Sequence, residues 1–134
     1  MKISLNVYTS LLFISNIFYL LVVNDRIYLI SFAALLITSV LFHYTKFEYL
    51  LYIDKIATYN IVLQGGIRFL ENYSKSLLIS ISVLLSFFSV VYLYIYGFMC
   101  NKFCFDEKYG ELYHGLLHFL SCIGHLFIIA LIKM

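Results

Sequence analysis

The sequence predicts an all-α integral membrane protein, with about five transmembrane helices in one bundle. Two observations carry that expectation. Of 134 residues, 63% are hydrophobic and only 12% charged, and the mean hydropathy is +0.96. A soluble domain of this size needs far more polar surface, commonly ~25% charged residues. The apolar residues also fall into five continuous runs, 5–23, 27–45, 54–70, 76–99 and 112–132, each close to the ~20 residues that span a bilayer core as a helix. They lack the alternation of a membrane β-barrel, and an open sheet leaves its backbone unpaired in lipid. The net charge of +2 excludes the basic patch that nucleic acid requires.

The first run begins after a single cation, Lys2, and Leu21-Val22-Val23-Asn24 lacks a small-residue cleavage pattern. It reads as a retained span. The second and fourth runs carry no charge. The third holds Asp54, Lys55, Gln64, Gly65, Gly66 and Arg68, and reads as a span whose polar end faces the bundle interior. The fifth carries no Asp, Glu, Lys or Arg, and three histidines. Connectors fall at 24–26, 45–48, 71–75 and 101–111, and Tyr28, Tyr44, Tyr49, Tyr73, Tyr96 and Tyr109 flank the span ends at headgroup level.

With five spans the N-terminus lies on one side, and Lys2, Lys46, Lys102 and Lys108 share it. Arg26, Arg68, Lys75 and Lys133 lie opposite, so charge sets no orientation. Cys100 and Cys104 would pair only in an oxidising compartment, and Cys122 lies in an apolar run. Asn72-Tyr73-Ser74 is a glycosylation sequon.

All four histidines lie in or at the ends of apolar runs. The second run ends SVLFH, placing Ser39 and His43 four residues apart on one helix face. Asp54 opens the third run, where a helix N-terminus favours a carboxylate. The fifth opens HGLLH, with His114 and His118 again on one face, and Gly115 between them admits a close neighbour. Counting crossings puts His43, Asp54, His114 and His118 at the same face of the membrane. Three neutral imidazoles with an open fourth position form the donor set of a catalytic zinc. His125 continues the stripe two turns deeper and reads as a pocket-lining or helix-contact residue. Tyr44, Glu48, Glu111 and Tyr113 lie near the same face as candidate supports or solvated interface groups.

SVLFH, then an Asp eleven residues after the histidine, then HGLLH in the last span, resembles the alkaline ceramidases. These share a superfamily of membrane hydrolases with the adiponectin/progestin receptors and haemolysin-III-like proteins. The run HYTKFEYLLYID (43–54) is most similar to the ceramidase branch. The resemblance covers residues 39–60 and 111–126, and implies zinc held by His43, His114 and His118. It further implies Asp54 as the group that holds and deprotonates water, Ser39 as its hydrogen-bonding partner, and a ceramide-like N-acyl lipid as substrate. Members have seven spans and an acidic calcium-binding stretch before the first. Here five spans are expected, and only Asn6, Thr9 and Ser10 stand where that stretch would be. Losing two spans between Asp54 and His114 keeps the zinc face but shrinks the lipid chamber, which a homo-oligomer would rebuild. The competing expectations are a non-enzymatic receptor-like or structural multi-span protein that keeps the bundle, and haem held by paired histidines, which leaves Ser39 and Asp54 unexplained.

Overall fold

The computed structural model describes residues 3–99 and 109–134. Its described residues form α1 (Leu5–Ser10), α2 (Phe13–Val23), α3 (Arg26–Thr45), α4 (Glu48–Asn72), α5 (Leu77–Tyr92) and α6 (Gly110–Lys133). A single 3₁₀ turn at Tyr73–Lys75 joins α4 to α5, and a π-helical stretch, Leu93–Met99, extends α5. No strand occurs among the described residues. Four helical stretches, Leu5–Val23, Arg26–Thr45, Leu77–Tyr96 and Gly110–Lys133, are long and apolar enough to cross a membrane. The helix α4 is 25 residues long, yet Glu48, Asp54, Lys55, Arg68 and Glu71 keep it out of that group.

Three boundaries differ from the sequence reading. The first run is not one regular helix: Leu11, Leu12, Ile14 and Ser15 donate to carbonyls three residues back, at 3.1–3.2 Å, tightening the chain between α1 and α2. The connector expected at 45–48 is only Lys46 and Phe47. Lys46 takes a left-handed conformation, φ 59°, and ends α3. The next helix therefore starts at Glu48, not Asp54. Asp54 stands nearly two turns inside α4 and lies beyond the terminal dipole that had been expected to favour it. Cys100 and Cys104, and with them the question of their pairing, lie outside the described residues.

The caps are local and chemical. Ser4 accepts from the Asn6 N–H, Asp25 from Tyr28 and Ser76 from Ile79, each satisfying a first-turn amide. Lys75 Nζ donates to the Leu131 carbonyl at 3.1 Å, placing a cation at the C-terminal end of α6.

The last helix organises the bundle, since α6 packs against α1, α2, α4 and α5. The buried core it shares with them includes Phe13, Leu20, Phe32, Ile61 and Val83. Close approach depends on small residues, as is usual between membrane helices. A methyl group on Gly115 would stand 3.1 Å from Thr9 Cγ2 of α1, and one on Gly124 would stand 3.0 Å from Ser86 Cβ of α5. On Gly65 of α4 it would meet His125 Cε1 at 2.7 Å.

Tyr28, expected among headgroups, is instead fully buried. Its hydroxyl pairs with His125 Nδ1, and the Arg68 guanidinium lies 5.2 Å from its ring centroid. Arg68 in turn donates from Nε and Nη2 to Asp25 at 2.7 and 2.9 Å, and from Nη1 to Gln64 at 2.6 Å. The polar end of α4 is thus turned inward. Tyr44, Tyr49, Tyr73, Tyr96 and Tyr109 are exposed, as the sequence reading expects.

Two predictions follow from this packing. Gly65→Ala must displace the buried His125 ring and costs ~1–3 kcal/mol. Adjacent Gly66 has open space around its Cα, so Gly66→Ala is neutral or mildly stabilising; thermal unfolding of the two variants in detergent compares them directly. The Arg68 hydrogen bond holds the Asp25 carboxyl below its ordinary 3.8. That contribution to stability is complete above the ordinary value and is lost as pH falls through the lowered one. The melting temperature of the wild-type chain should therefore drop on acidification below pH 3.8, and Asp25→Asn should flatten that dependence.

Candidate metal centre

Two helices supply the histidines. His43 lies in the last turn of α3, while His114 and His118 are one turn apart near the start of α6. Their ring centroids form a nearly equilateral triangle, 4.8 Å from His43 to His114, 5.2 Å from His43 to His118 and 4.8 Å from His114 to His118. One ligand nitrogen from each lies within 4.8 Å of the others. Two nitrogens on one tetrahedral ion stand ~3.3 Å apart, so modest ring rotation closes the set. His43 and His118 are buried, and His114 is half-buried. Three histidines are thus close enough to hold a metal ion.

The surroundings favour such an ion. Both ring nitrogens of His43 are fully buried without a hydrogen-bond partner. Leaving a buried polar group in that state costs ~1–3 kcal/mol, and a cation at the triangle removes the penalty for one nitrogen. His118 is held from behind by α1. Thr9 Oγ1 lies 3.0 Å from His118 Nδ1 and 3.3 Å from the Asn6 carbonyl oxygen. When the His118 proton resides on Nδ1, the Thr9 hydroxyl accepts it and can give its own proton to the Asn6 carbonyl. Nε2 is then the unprotonated ligand nitrogen, the usual device for orienting a metal-binding imidazole. Gly115 admits Thr9 to this position.

The two expected non-histidine groups line a neighbouring cavity. A pocket of about 90 Å³ has Ser39, Asp54, His114 and His118 in its wall, with Thr58, Tyr59 and Ser121. Asp54 Oδ1 accepts from Thr38 Oγ1 at 3.0 Å, leaving Oδ2 for the cavity. Ser39 Oγ lies 2.9 Å from Ser10 Oγ, which bonds the Asn6 carbonyl at 2.7 Å. Proton counting makes Ser39 the donor to Ser10, so its lone pairs, not its hydrogen, are available.

His125 stands apart from the triangle and bonds Tyr28. Glu111 accepts from Ser4 Oγ at 2.8 Å and from the Leu5 amide at 3.3 Å, tying α1 to α6. Tyr44 and Glu48 are exposed. The sequence reading placed Thr9 and Ser10 only in a vestigial calcium stretch. Both in fact contact site residues, Thr9 meeting His118 of α6 and Ser10 meeting Ser39 of α3, a relation visible only once α1 packs on those two helices. Comparison with family models, curated proteins and solved structures finds no match to the chain.

Proposed function

We propose that this chain is a zinc-dependent intramembrane hydrolase that cleaves the amide bond of a ceramide-like N-acyl lipid. The observation that carries the reading is the convergence of His43, His114 and His118, with both His43 nitrogens unpartnered, beside a cavity whose wall His114 and His118 share with Asp54 and Ser39. Three neutral imidazoles that leave a position open suit catalytic zinc, whereas structural zinc is closed by four protein ligands. Bound there, zinc supplies Lewis acidity toward a carbonyl and makes water a nucleophile near neutral pH.

The protein residues do the rest. Asp54 Oδ2 takes a proton from the attacking water and returns it to the leaving amine. Thr38 fixes that carboxylate by holding Oδ1. With its hydrogen committed to Ser10, Ser39 accepts from the water and orients it. This narrows the role implied by the family resemblance, since an oxyanion needs a donor. Phe13 packs edge-on against His118, with centroids 5.7 Å apart, and shields the site from bulk water. The apolar bundle around the cavity suits a substrate that arrives from the bilayer.

A second reading keeps the ion as a staple between α3 and α6 with no turnover. The Ser39–Ser10 and Asp54–Thr38 pairs favour it, because both groups already have structural partners.

Elemental analysis and lipid turnover on purified protein separate the two. Wild type should hold one zinc per chain and release fatty acid from an N-acyl lipid, and His118→Ala should lose both; full activity in that variant would end the hydrolase reading. Asp54→Asn should keep the zinc and lose turnover by at least ~10²-fold. Zinc without turnover in wild type leaves the staple. Thr9→Val removes the hydroxyl behind His118 at nearly constant volume, and should weaken zinc binding by ~10–100-fold while Thr9→Ser restores it, as read by competition with a chelator.

A further inference from the structure

A second, larger cavity of about 540 Å³ lies between α4, α5 and α6, lined by Val62, Phe69, Val83, Phe87, Val90 and Ile128 among others. Its size falls within the ~300–1,000 Å³ of small-molecule sites. The cleft opens sideways, since α4 packs on α3 and α6 while α5 packs on α6, and the lip residues Val62 and Phe87 are exposed. The flanking α5 is among the helices apolar enough to cross a membrane, so the matter at the opening is hydrocarbon.

A few polar groups interrupt this wall, and most are already engaged. Thr58 donates to the Asp54 carbonyl, Ser86 to the Ser82 carbonyl, and Tyr59 pairs with Tyr94. Two are not engaged, and they lie one turn apart on α6. Among the described residues Ser121 forms no hydrogen bond, and His125, only 8% exposed, uses Nδ1 alone. The buried Tyr28 hydroxyl has no acceptor but that Nδ1, so its proton goes there and the imidazole proton resides on Nε2. His125 thus presents an unspent N–H at the cleft, with the Ser121 hydroxyl one turn nearer the metal centre.

We infer that this cleft binds an apolar chain carrying one hydrogen-bond-accepting oxygen along its length, a hydroxyl or carbonyl, received by His125 Nε2–H and Ser121 Oγ–H. A bare hydrocarbon chain fills the same volume but leaves both donors unpaired, which is the basis of discrimination. His125 is seven residues beyond His118, about 10 Å along the helix axis. The oxygen therefore lies well away from any group bound at the histidine triangle. The inference does not depend on hydrolysis.

The test compares radiolabelled stearate with a mid-chain hydroxystearate, bound to the full chain in nanodiscs. Wild type should hold the hydroxylated chain about tenfold more tightly. His125→Phe should bring the two affinities together while still binding stearate. Ser121 forms no bond whose loss would unfold the protein, so Ser121→Ala serves as the second variant and should reduce the preference about threefold. Equal affinities in wild type overturn the proposal, as does a preference that survives both substitutions. The same comparison on His118→Ala separates the two sites: a retained preference there, with zinc and turnover lost or never present, leaves this site standing whatever becomes of the hydrolase reading.

Discussion

A polar atom inside an apolar bundle must find a partner, and that constraint organises this protein. Nearly every buried polar group among the described residues is joined to another helix or to its own backbone. Asn16 reaches the Cys122 carbonyl at 3.1 Å and accepts from Cys122 Sγ at 3.0 Å, Asn60 reaches Ser31 at 2.9 Å, and Tyr28 reaches His125. Against that background the two bare nitrogens of His43 stand out. An imidazole is the most readily metallated side chain, and its nearest polar neighbours are two more imidazoles. The unmet requirement and its remedy therefore lie at the same place.

Close packing makes these pairings possible. Helices in lipid gain little from hydrophobic burial against one another, and associate through van der Waals contact and hydrogen bonds. The glycines of α6 and α4 stand where polar groups must meet. Gly115 brings Thr9 to His118, and Gly65 makes room for the His125 ring beside Tyr28. The two polar clusters, Thr9–His118–His43 near one end and Asp25–Arg68–Tyr28–His125 toward the other, are thus built on the same device. Both use α6 as the common wall.

Periodicity and crossing parity make the histidine triangle legible in the sequence. A spacing of four residues places Ser39 with His43 and His114 with His118, and the number of crossings brings the two pairs to one face. What escapes sequence reading are features set by tertiary geometry. Lys46 adopts φ 59°, a conformation its side chain does not advertise, and the turn there starts α4 six residues before Asp54. Tyr28 resembles an interfacial tyrosine by position, but Gly65 and His125 open a buried place for its hydroxyl. Thr9 and Ser10 gain their contacts because α1 packs on both α6 and α3. Asn24, also left-handed at φ 62°, was the readable case, because asparagine tolerates that region.

The two cavities share Thr58, Tyr59, Val62, Val90, Tyr94 and Ser121 in their walls. A molecule lying in the apolar cleft therefore borders the compartment of Asp54 and the histidines without crossing open solvent. The apolar cleft is bordered by α4, α5 and α6, with Val62 and Phe87 exposed at its lip. One stripe of α6 carries polar groups toward both cavities, His114, His118, Ser121 and His125, while α3 adds Ser39 and His43 and α4 adds Asp54.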